Sequence, residues 1–362
     1  MVYFYGNQEK NRRDKRMKIV KRLMSCTMLL VSLVLVACSA KVKRNNYLKS
    51  WTDSAVAKNK ILDYVENVTD SKSPDFIPES DRIAVFDMDG TIFCETDPVY
   101  YEYMMLFDRM FEENKKYGGK EELIQEINEA LKTGYISHEF ELLLSDSEYE
   151  YYLNMTIEEY KMYIKDFLNK KTISYANMLI KDALYKPMIE VVNYLKENNF
   201  TVYVVSGTER NFVRAVVCEK LGISERNVIG MDFKYKAKNQ NNLRNSDYQY
   251  SRNEDIIVAG GPIDVNVRFH KVHEISEEIG IVPVLAFGNS ISDGSMLEYT
   301  LGNEKYKSLA FMVICDDRER ENGSPDKAKA VSDFSNEKGY ITISMKNDWK
   351  TIYEDGVKVI KK

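Results

Sequence analysis

Residues 83–93 have the sequence IAVFDMDGTIF, and this stretch decides the fold. The apolar run at positions 83–86 is typical of a parallel strand buried on both faces, and it stops at Asp87, Asp89 and Gly90. An isolated pair of acids could also form a solvated turn. Here the buried strand before the acids and the Gly-Thr pair after them favour a binding site. Because open α/β sheets bind ligands at the carboxyl ends of their strands, the stretch predicts such a sheet with two carboxylates at its binding edge.

Two later predicted strands also end in polar residues. The stretch VYVVSG ends in Ser206 and Gly207, directly before a predicted helix. A hydroxyl beside a glycine and a helix N-terminus is a good anion site, although the same pattern is common in ordinary turns. The stretch LAFGNSISDGSM carries Asn289 and Asp293, whose oxygen atoms are of the kind that Mg²⁺ accepts.

The order of these motifs resembles that of a known superfamily. A D-x-D-G-T sequence from Asp87 to Thr91 is followed by Ser206, then Lys271, then Asn289 and Asp293. This order is similar to that of the haloacid dehalogenase (HAD) superfamily of phosphohydrolases, in particular its capped phosphoserine and phosphocholine phosphatase-like branch. The resemblance covers most of the chain. It implies an α/β fold with a Rossmann-like, doubly wound parallel sheet and a helical cap inserted between the first and second motifs.

The resemblance also implies a role for each residue. Asp87 would be the nucleophile that forms an aspartyl-phosphate, and Asp89 would protonate the leaving group and later deprotonate water. The implied phosphate-binding residues are Thr91, Ser206, Gly207 and Lys271. The implied cofactor is Mg²⁺, held by Asp87, Asp89, Asn289 and Asp293 and by a backbone carbonyl, that of Met88 or of Asp89.

Two of these assignments have competitors in the sequence. The superfamily often has Asp where this chain has Asn289, so the sequence leaves open whether Asn289 or Asp293 contacts the metal directly. Lys271 matches the third motif and precedes a predicted helix, but three other lysines compete for its role: Lys234, Lys236 and Lys238. The sequence therefore predicts which types of group form the site, but it does not decide between these residues.

The chain is predicted to consist of four segments. Residues 1–38 form a lipoprotein signal peptide with its lipidation cysteine, and residues 39–95 form a tether, an N-terminal helix and the first core strand. Residues 96–186 are dense in Tyr, Met, Glu and Lys with helical periodicity, which predicts the cap. Residues 187–362 form the remainder of the core.

The first segment resembles a bacterial lipoprotein signal. Basic residues precede an apolar run, Met28 to Ala37, that is too short to span a bilayer and ends in Leu-Val-Ala-Cys. We therefore expect Cys38 to be lipidated and the protein to be an extracytoplasmic, membrane-anchored lipoprotein. The alternatives are an uncleaved signal anchor or a chance cysteine, and translation could start at Met1 or Met17.

Charge and cysteine content limit the possible partners. The formal net charge is −5, and the segment before Cys38 is basic, so the rest of the chain is acidic, which argues against a nucleic-acid partner. The cysteines after the signal number three, which is not a disulfide framework, and their spacing matches no metal site: Cys94, Cys218 and Cys315. The expected partners are a small phosphorylated substrate and, through the lipid, a membrane.

Residues at the entrance to the cap suggest the substrate. Glu95 and Asp97 follow the first motif, and the cap is rich in tyrosine, as at Tyr100, Tyr101 and Tyr152. Acids and aromatic faces can hold a cation, so we expect a small phosphomonoester with an amine or choline head group, although tyrosines at helical spacing more often pack in a core. The alternative functions are a phosphotransferase and a non-catalytic, ligand-binding lipoprotein on an HAD scaffold.

Overall fold

The computed structural model describes residues 47–262 and 264–360. The chain divides into two compact units, residues 1–49 and 50–362, and every element below lies in the second. The predicted signal peptide, with Cys38, lies outside the described residues, so the lipid anchor stays a prediction. Among the helices of the described residues, none is long and apolar enough to cross a membrane.

Strands and helices alternate along most of the second unit. The strands are β1 (Ile83–Phe86), β2 (Tyr175–Ala176), β3 (Thr201–Glu209), β4 (Val228–Met231), β5 (Phe233–Ala237), β6 (Ile256–Pro262), β7 (Leu285–Gly288), β8 (Leu309–Ile314), β9 (Ile341–Ser344) and β10 (Lys358–Val359). The α-helices are α1 (Val56–Thr69), α2 (Tyr101–Tyr117), α3 (Glu121–Thr133), α4 (His138–Ser147), α5 (Ile157–Leu168), α6 (Lys186–Glu197), α7 (Arg210–Leu221), α8 (Phe269–Glu274), α9 (Gly294–Leu301), α10 (Pro325–Lys338) and α11 (Met345–Asp348).

The central sheet has six strands in the order β4-β3-β1-β7-β8-β9. Every neighbouring pair in it is parallel. Helices flank this sheet, and the predicted Rossmann-like α/β fold is confirmed. The order of the strands places β1 between β3 and β7, so the residues that follow these three strands meet at one edge of the sheet.

An aromatic stack fixes the register of the central strands. Phe86, Phe287 and Phe311 occupy paired positions on β1, β7 and β8. Their rings stack with centroids 4.3 Å and 4.7 Å apart. Such cross-strand aromatic pairs are sensitive to register. Phe86 is the last residue of β1, so the register of the stack also positions the next residue, Asp87.

The segment between β1 and α6 is mainly helical, in agreement with its composition. It contains α2 to α5, and α5 begins with a capping box between Thr156 and Glu159. The short strand β2 pairs with β10 from the end of the chain. The segment is therefore mainly helical. That it forms a cap separate from the core stays a prediction.

Two local predictions differ from the structure. The sequence predicts a strand that ends at Ser206 and Gly207, directly before a helix, but β3 continues to Glu209 with an irregular register opposite β4. Lys271 was expected before a helix and instead lies within α8, which continues as a turn of π-helix to Ile279. In both cases the local sequence identified the element correctly and misplaced its boundary, which is the least certain part of an element.

Candidate active site

A buried ion cluster lies at the carboxyl end of β1. The Lys271 ammonium is 2.6 Å from Asp87 Oδ1 and 2.7 Å from Asp293 Oδ1. Lys271 is 1% exposed, and the two carboxylates are buried with it. The structure therefore brings Lys271 to the first motif, whereas its three competitors lie on or just after β5.

The charges in this cluster perturb one another. Burial, and then the charge of Asp293, raises the pKa of Asp87 to about 7. Burial alone would lower the pKa of Lys271, but the two carboxylates raise it, so the lysine is an ammonium ion. Despite its burial, Asp293 has a lowered pKa because Lys271 stabilises the carboxylate. The cluster thus contains one permanent anion, one permanent cation and one carboxyl that titrates near neutrality.

Asp293 is also held by the loop that follows β7. Its Oδ2 accepts hydrogen bonds from the backbone N–H groups of Asn289 at 3.1 Å and Ser290 at 3.0 Å. The Asn289 amide lies against Gly90, where a Cβ would come within 1.8 Å of Asn289 Nδ2. Gly90 also has a φ of +78°, so both its conformation and this close approach require glycine. These contacts join the first motif to the last one.

Asp89 faces the end of β3. Its Oδ2 accepts a hydrogen bond from Thr208 Oγ1 at 2.7 Å and a longer one from Ser206 Oγ at 3.5 Å. Burial raises the pKa of Asp89 to about 7, a value that suits a group that must give and take a proton near neutral pH. Thr208 was not identified from the sequence. Alternate side chains of a strand lie on the same face. This period places Thr208 on the same face as Ser206, provided that β3 is known to continue to Thr208.

The remaining predicted phosphate-binding residues lie beside these groups. Thr91 Oγ1 donates to Asp87 Oδ2 at 3.1 Å. Gly207 lies between the two hydroxyl residues of β3, and a Cβ there would come within 3.1 Å of Val267. The structure therefore gathers the predicted catalytic and phosphate-binding side chains at one edge of the sheet, and their individual roles stay predictions.

Removing the hydroxyl of Thr208 should impair the site. We expect Thr208→Val, which keeps the shape of the side chain, to lower kcat about tenfold, because Asp89 loses its shortest hydrogen bond and its fixed orientation. Thr208→Ser keeps the hydroxyl and should retain most of the activity. Steady-state kinetics of the two variants on one phosphate ester make the comparison, and equal losses in both would show that the hydroxyl does not matter.

The donor atoms at this edge fit Mg²⁺ in chemical type. Asp87 and Asp293 offer carboxylate oxygens and Asn289 offers an amide oxygen, and Mg²⁺ commonly binds one or two carboxylates with several waters. Across the described part of the chain, no group of three His, Cys, Asp or Glu side chains is arranged to hold a metal by itself. The Met88 carbonyl, one of the two candidate backbone ligands, accepts three backbone N–H groups within its turn, and the choice between Met88 and Asp89 stays a prediction.

Asp97 does not lie where a head group could bind it. It is 0% exposed, and its carboxylate accepts hydrogen bonds from the backbone N–H groups of Ile173 and Ser174. The tyrosines Tyr101 and Tyr152 are also fully buried and pack in the interior. The backbone of the segment after α5 occupies the Asp97 carboxylate, so the structure gives no support to its predicted contact with the substrate.

Glu95 lies near the site but its charge is already compensated. Its Oε1 accepts hydrogen bonds from Tyr100 Oη at 3.0 Å and from Asn289 Nδ2 at 3.1 Å. The same oxygen forms an ion pair with Lys327 on α10. Lys327 already compensates the charge of Glu95, so a cationic head group at Glu95 would have to compete with this lysine.

A second group of buried carboxyls was not identified from the sequence. Glu102 on α2 accepts a hydrogen bond at 2.7 Å from the backbone N–H of Glu209, at the end of β3. Glu148, just after α4, is 4% exposed, and its Oε1 has no hydrogen-bond partner. Burial raises the pKa of Glu148 to about 8 and that of Glu209 to about 7. Glu148 therefore holds a proton in the folded state at neutral pH, whereas Glu209 titrates near neutrality.

The proton on Glu148 should make stability depend on pH. Its pKa of about 8 lies above the ordinary value of 4.5, so its contribution is present at low pH and is lost as pH rises through 8. The natural chain should lose unfolding free energy through this group as pH rises from about 5.5 to about 8.5. Glu148→Gln lacks the titrating group, so its loss over the same range should be smaller by about 2 to 3 kcal/mol. Urea unfolding at both pH values measures this difference. The exposed neighbour Glu150 provides the control Glu150→Gln, whose pH dependence should match that of the natural chain.

Comparisons with known proteins agree with this description. The sequence model of the haloacid dehalogenase-like hydrolase family matches residues 84–298. No curated protein matches the chain. A solved structure of a protein with unknown function from Bordetella pertussis Tohama I is 14% identical, over 72% of this chain and 97% of that one, with a TM-score of 0.45.

Two further solved structures show a similar level of likeness. A conserved, functionally unknown protein from Anaerococcus prevotii DSM 20548 is 14% identical, over 83% of this chain and 96% of that one, with a TM-score of 0.47. A phosphoserine phosphohydrolase-like protein from Francisella tularensis subsp. tularensis SCHU S4 is 17% identical, over 64% of this chain and 87% of that one, with a TM-score of 0.33. At this level of similarity these structures do not bear on the activity.

Proposed function

The chain belongs to the haloacid dehalogenase-like hydrolase family, and from this premise we propose that it hydrolyses small phosphomonoesters through an aspartyl-phosphate on Asp87. The observation that carries the proposal is the Lys271 ammonium, which lies within hydrogen-bond distance of both Asp87 and Asp293. A carboxylate can attack a phosphate dianion only where positive charge offsets their repulsion. Lys271 supplies such charge directly beside the attacking group.

The proposed reaction uses two carboxyls in sequence. An oxygen of Asp87 forms a bond to phosphorus while the bond to the leaving-group oxygen breaks, and Asp89 gives that oxygen its proton. Water then attacks the phosphorus of the aspartyl-phosphate and gives a proton to Asp89, which Thr208 holds in place. The bond between phosphorus and the Asp87 oxygen breaks, which releases inorganic phosphate and restores the Asp87 carboxylate. Mg²⁺ held by Asp87, Asp89, Asn289 and Asp293 would supply further positive charge at the phosphoryl oxygens. The proposed phosphate contacts are Thr91, Ser206, Gly207 and Lys271.

The direct test is phosphate release by the full chain in detergent. A panel of small phosphomonoesters is incubated with Mg²⁺ or with EDTA, and an excess of a second alcohol is added to detect transfer. We expect inorganic phosphate as the main product and a large loss of turnover in EDTA. A phosphorylated alcohol as the main product would indicate a phosphotransferase instead, and a folded protein that hydrolyses no ester would contradict the proposal.

We also propose that a lipid on Cys38 anchors the protein outside the cytoplasm. The support is the basic and apolar pattern before Leu-Val-Ala-Cys. We expect Cys38→Ser to move the protein from the detergent phase to the aqueous phase in a Triton X-114 partition of cells that express it, because an acyl chain supplies about 0.8 kcal/mol per buried methylene. Cys26→Ser changes the other cysteine of the same segment and should leave the partition unchanged. A Cys38→Ser protein that stays in the detergent phase would argue for an uncleaved anchor.

A further inference from the structure

A large cavity opens beside the candidate active site. Its volume is about 880 Å³, and its wall includes Glu95 and Tyr100 from the segment after β1 and Arg318 and Lys327 from the segment after β8. Strand β7 alone separates β1 from β8 in the sheet. The cavity therefore lies at the same carboxyl edge as Asp87, where ligands of open α/β sheets bind.

Glu95 connects this cavity to the reaction centre. Its carboxylate is in the cavity wall, and it accepts a hydrogen bond from Asn289 Nδ2 at 3.1 Å. Asn289 in turn donates its backbone N–H to Asp293, the partner of Lys271. A substrate with its phosphoryl group at Asp87 would thus have room for its leaving group on the cavity side of Glu95.

Arg318 is the cation of the cavity wall that a ligand could pair with. Glu95 and Lys327 form an ion pair, so their charges compensate each other. Within residues 47–262 and 264–360, no carboxylate forms an ion pair with Arg318, which is exposed at the cavity. The wall also contains the acid Glu319, next to Arg318 in the chain. An arginine without an ionic partner at a cavity is a usual binding group for a carboxylate or a phosphate.

We infer that the leaving group of the substrate carries a second anionic group, a carboxylate or a phosphate, which binds Arg318 in this cavity, where Lys327 compensates the charge of Glu95. The inference rests on the proposed function and names the class of substrate for the same site. It replaces the cationic head group expected from the sequence, because the acids on which that expectation rested are occupied by Lys327 and by backbone N–H groups.

A matched series of three-carbon phosphate esters tests the inference. The four esters are 3-hydroxypropyl phosphate, 3-phosphooxypropanoate, propane-1,3-diol bisphosphate and 3-aminopropyl phosphate, which differ only in the group at the far end. The full chain in detergent with Mg²⁺ should show a kcat/KM at least about tenfold higher for one or both anionic esters than for the hydroxyl ester, mainly through KM. The carboxylate and bisphosphate arms show which anion is preferred.

Variants then locate the preference. We expect Arg318→Gln to reduce the ratio of anionic to hydroxyl ester about tenfold, and Glu319→Gln to increase it, because one removes a cation and the other an anion from the wall. Lys327→Arg keeps the charge and should keep the ratio, whereas Lys327→Gln should lower it. The exposed Arg252, which is not part of the cavity wall, supplies the control Arg252→Gln. Because each ratio is measured within one variant, a partial loss of folded protein does not affect it.

The possible outcomes separate the two proposals. A chain that hydrolyses all four esters equally, or prefers the amine, would overturn this inference and leave the proposed function standing. An anionic preference that is unchanged in Arg318→Gln and Lys327→Gln would also overturn this inference and leave the proposed function standing, because the anion would then bind elsewhere. A folded chain that hydrolyses none of the four would contradict the proposed function itself.

Discussion

Replacement of Asp87 by Asn is expected to lower kcat for phosphate release by roughly 10⁴-fold or more, because the amide cannot form the aspartyl-phosphate. The fold should survive the change. Asp87 is buried beside Asp293, and both features disfavour its charge and raise its pKa to about 7. A neutral amide of the same shape removes this unfavourable interaction, so the Asp87→Asn chain should unfold at the same temperature as the natural chain or at a higher one.

Thermal unfolding and phosphate release are measured on the same preparation. The matched control is Asp166→Asn, which changes an exposed aspartate on α5 and should alter neither quantity. An Asp87→Asn protein that keeps a tenth or more of the natural turnover would show that Asp87 is not the nucleophile. A protein that loses both activity and its cooperative unfolding would show that Asp87 has a structural role instead.

Replacement of Lys271 by Met is expected to cost about 3 to 5 kcal/mol of unfolding free energy near pH 8, because the buried carboxylates of Asp87 and Asp293 would lose their shared cation. The cost should depend on pH. Without Lys271 the pKa values of both carboxyls rise in the folded state, so stability is lost as pH rises through those values and regained as the carboxyls become protonated. The loss at about pH 5 should therefore be clearly smaller than the loss near pH 8.

Urea unfolding at the two pH values tests this expectation. Lys271→Arg retains a cation and should recover part of the stability, whereas Lys165→Met removes an exposed lysine from α5 and should have little effect. A Lys271→Met chain with the same loss at both pH values would mean that the packing of the lysine stem, and not its charge, stabilises the site.

The fold and the first motif could be predicted from short stretches of sequence. The apolar run before Asp87 and the runs before Ser206 and Asn289 identify buried parallel strands, and polar residues that follow such strands must lie at one edge of the sheet. These predictions succeed because they need only the local pattern and the geometry common to all parallel sheets. The helical composition after the first motif is of the same kind, since helical periodicity is visible within one element.

The contacts of the site depend on residues that are distant in the chain. Lys271 reaches Asp87 across 184 positions, and Lys327 reaches Glu95 across 232. Thr208 could be assigned to Asp89 only after β3 was seen to continue past Gly207. No local pattern contains this information, because each contact is set by the packing of several elements against the sheet.

The sequence by itself therefore determined the parallel α/β fold and the identity of the carboxylates, hydroxyls and amide at its binding edge. Only the tertiary structure decided which lysine joins them, that Asp97 is buried against backbone N–H groups, and that Arg318 and Lys327 line the adjoining cavity. The physical reason is the range of the interactions. Strand patterns and motif spacing follow from neighbours in the chain, whereas charge compensation and cavity walls follow from neighbours in space.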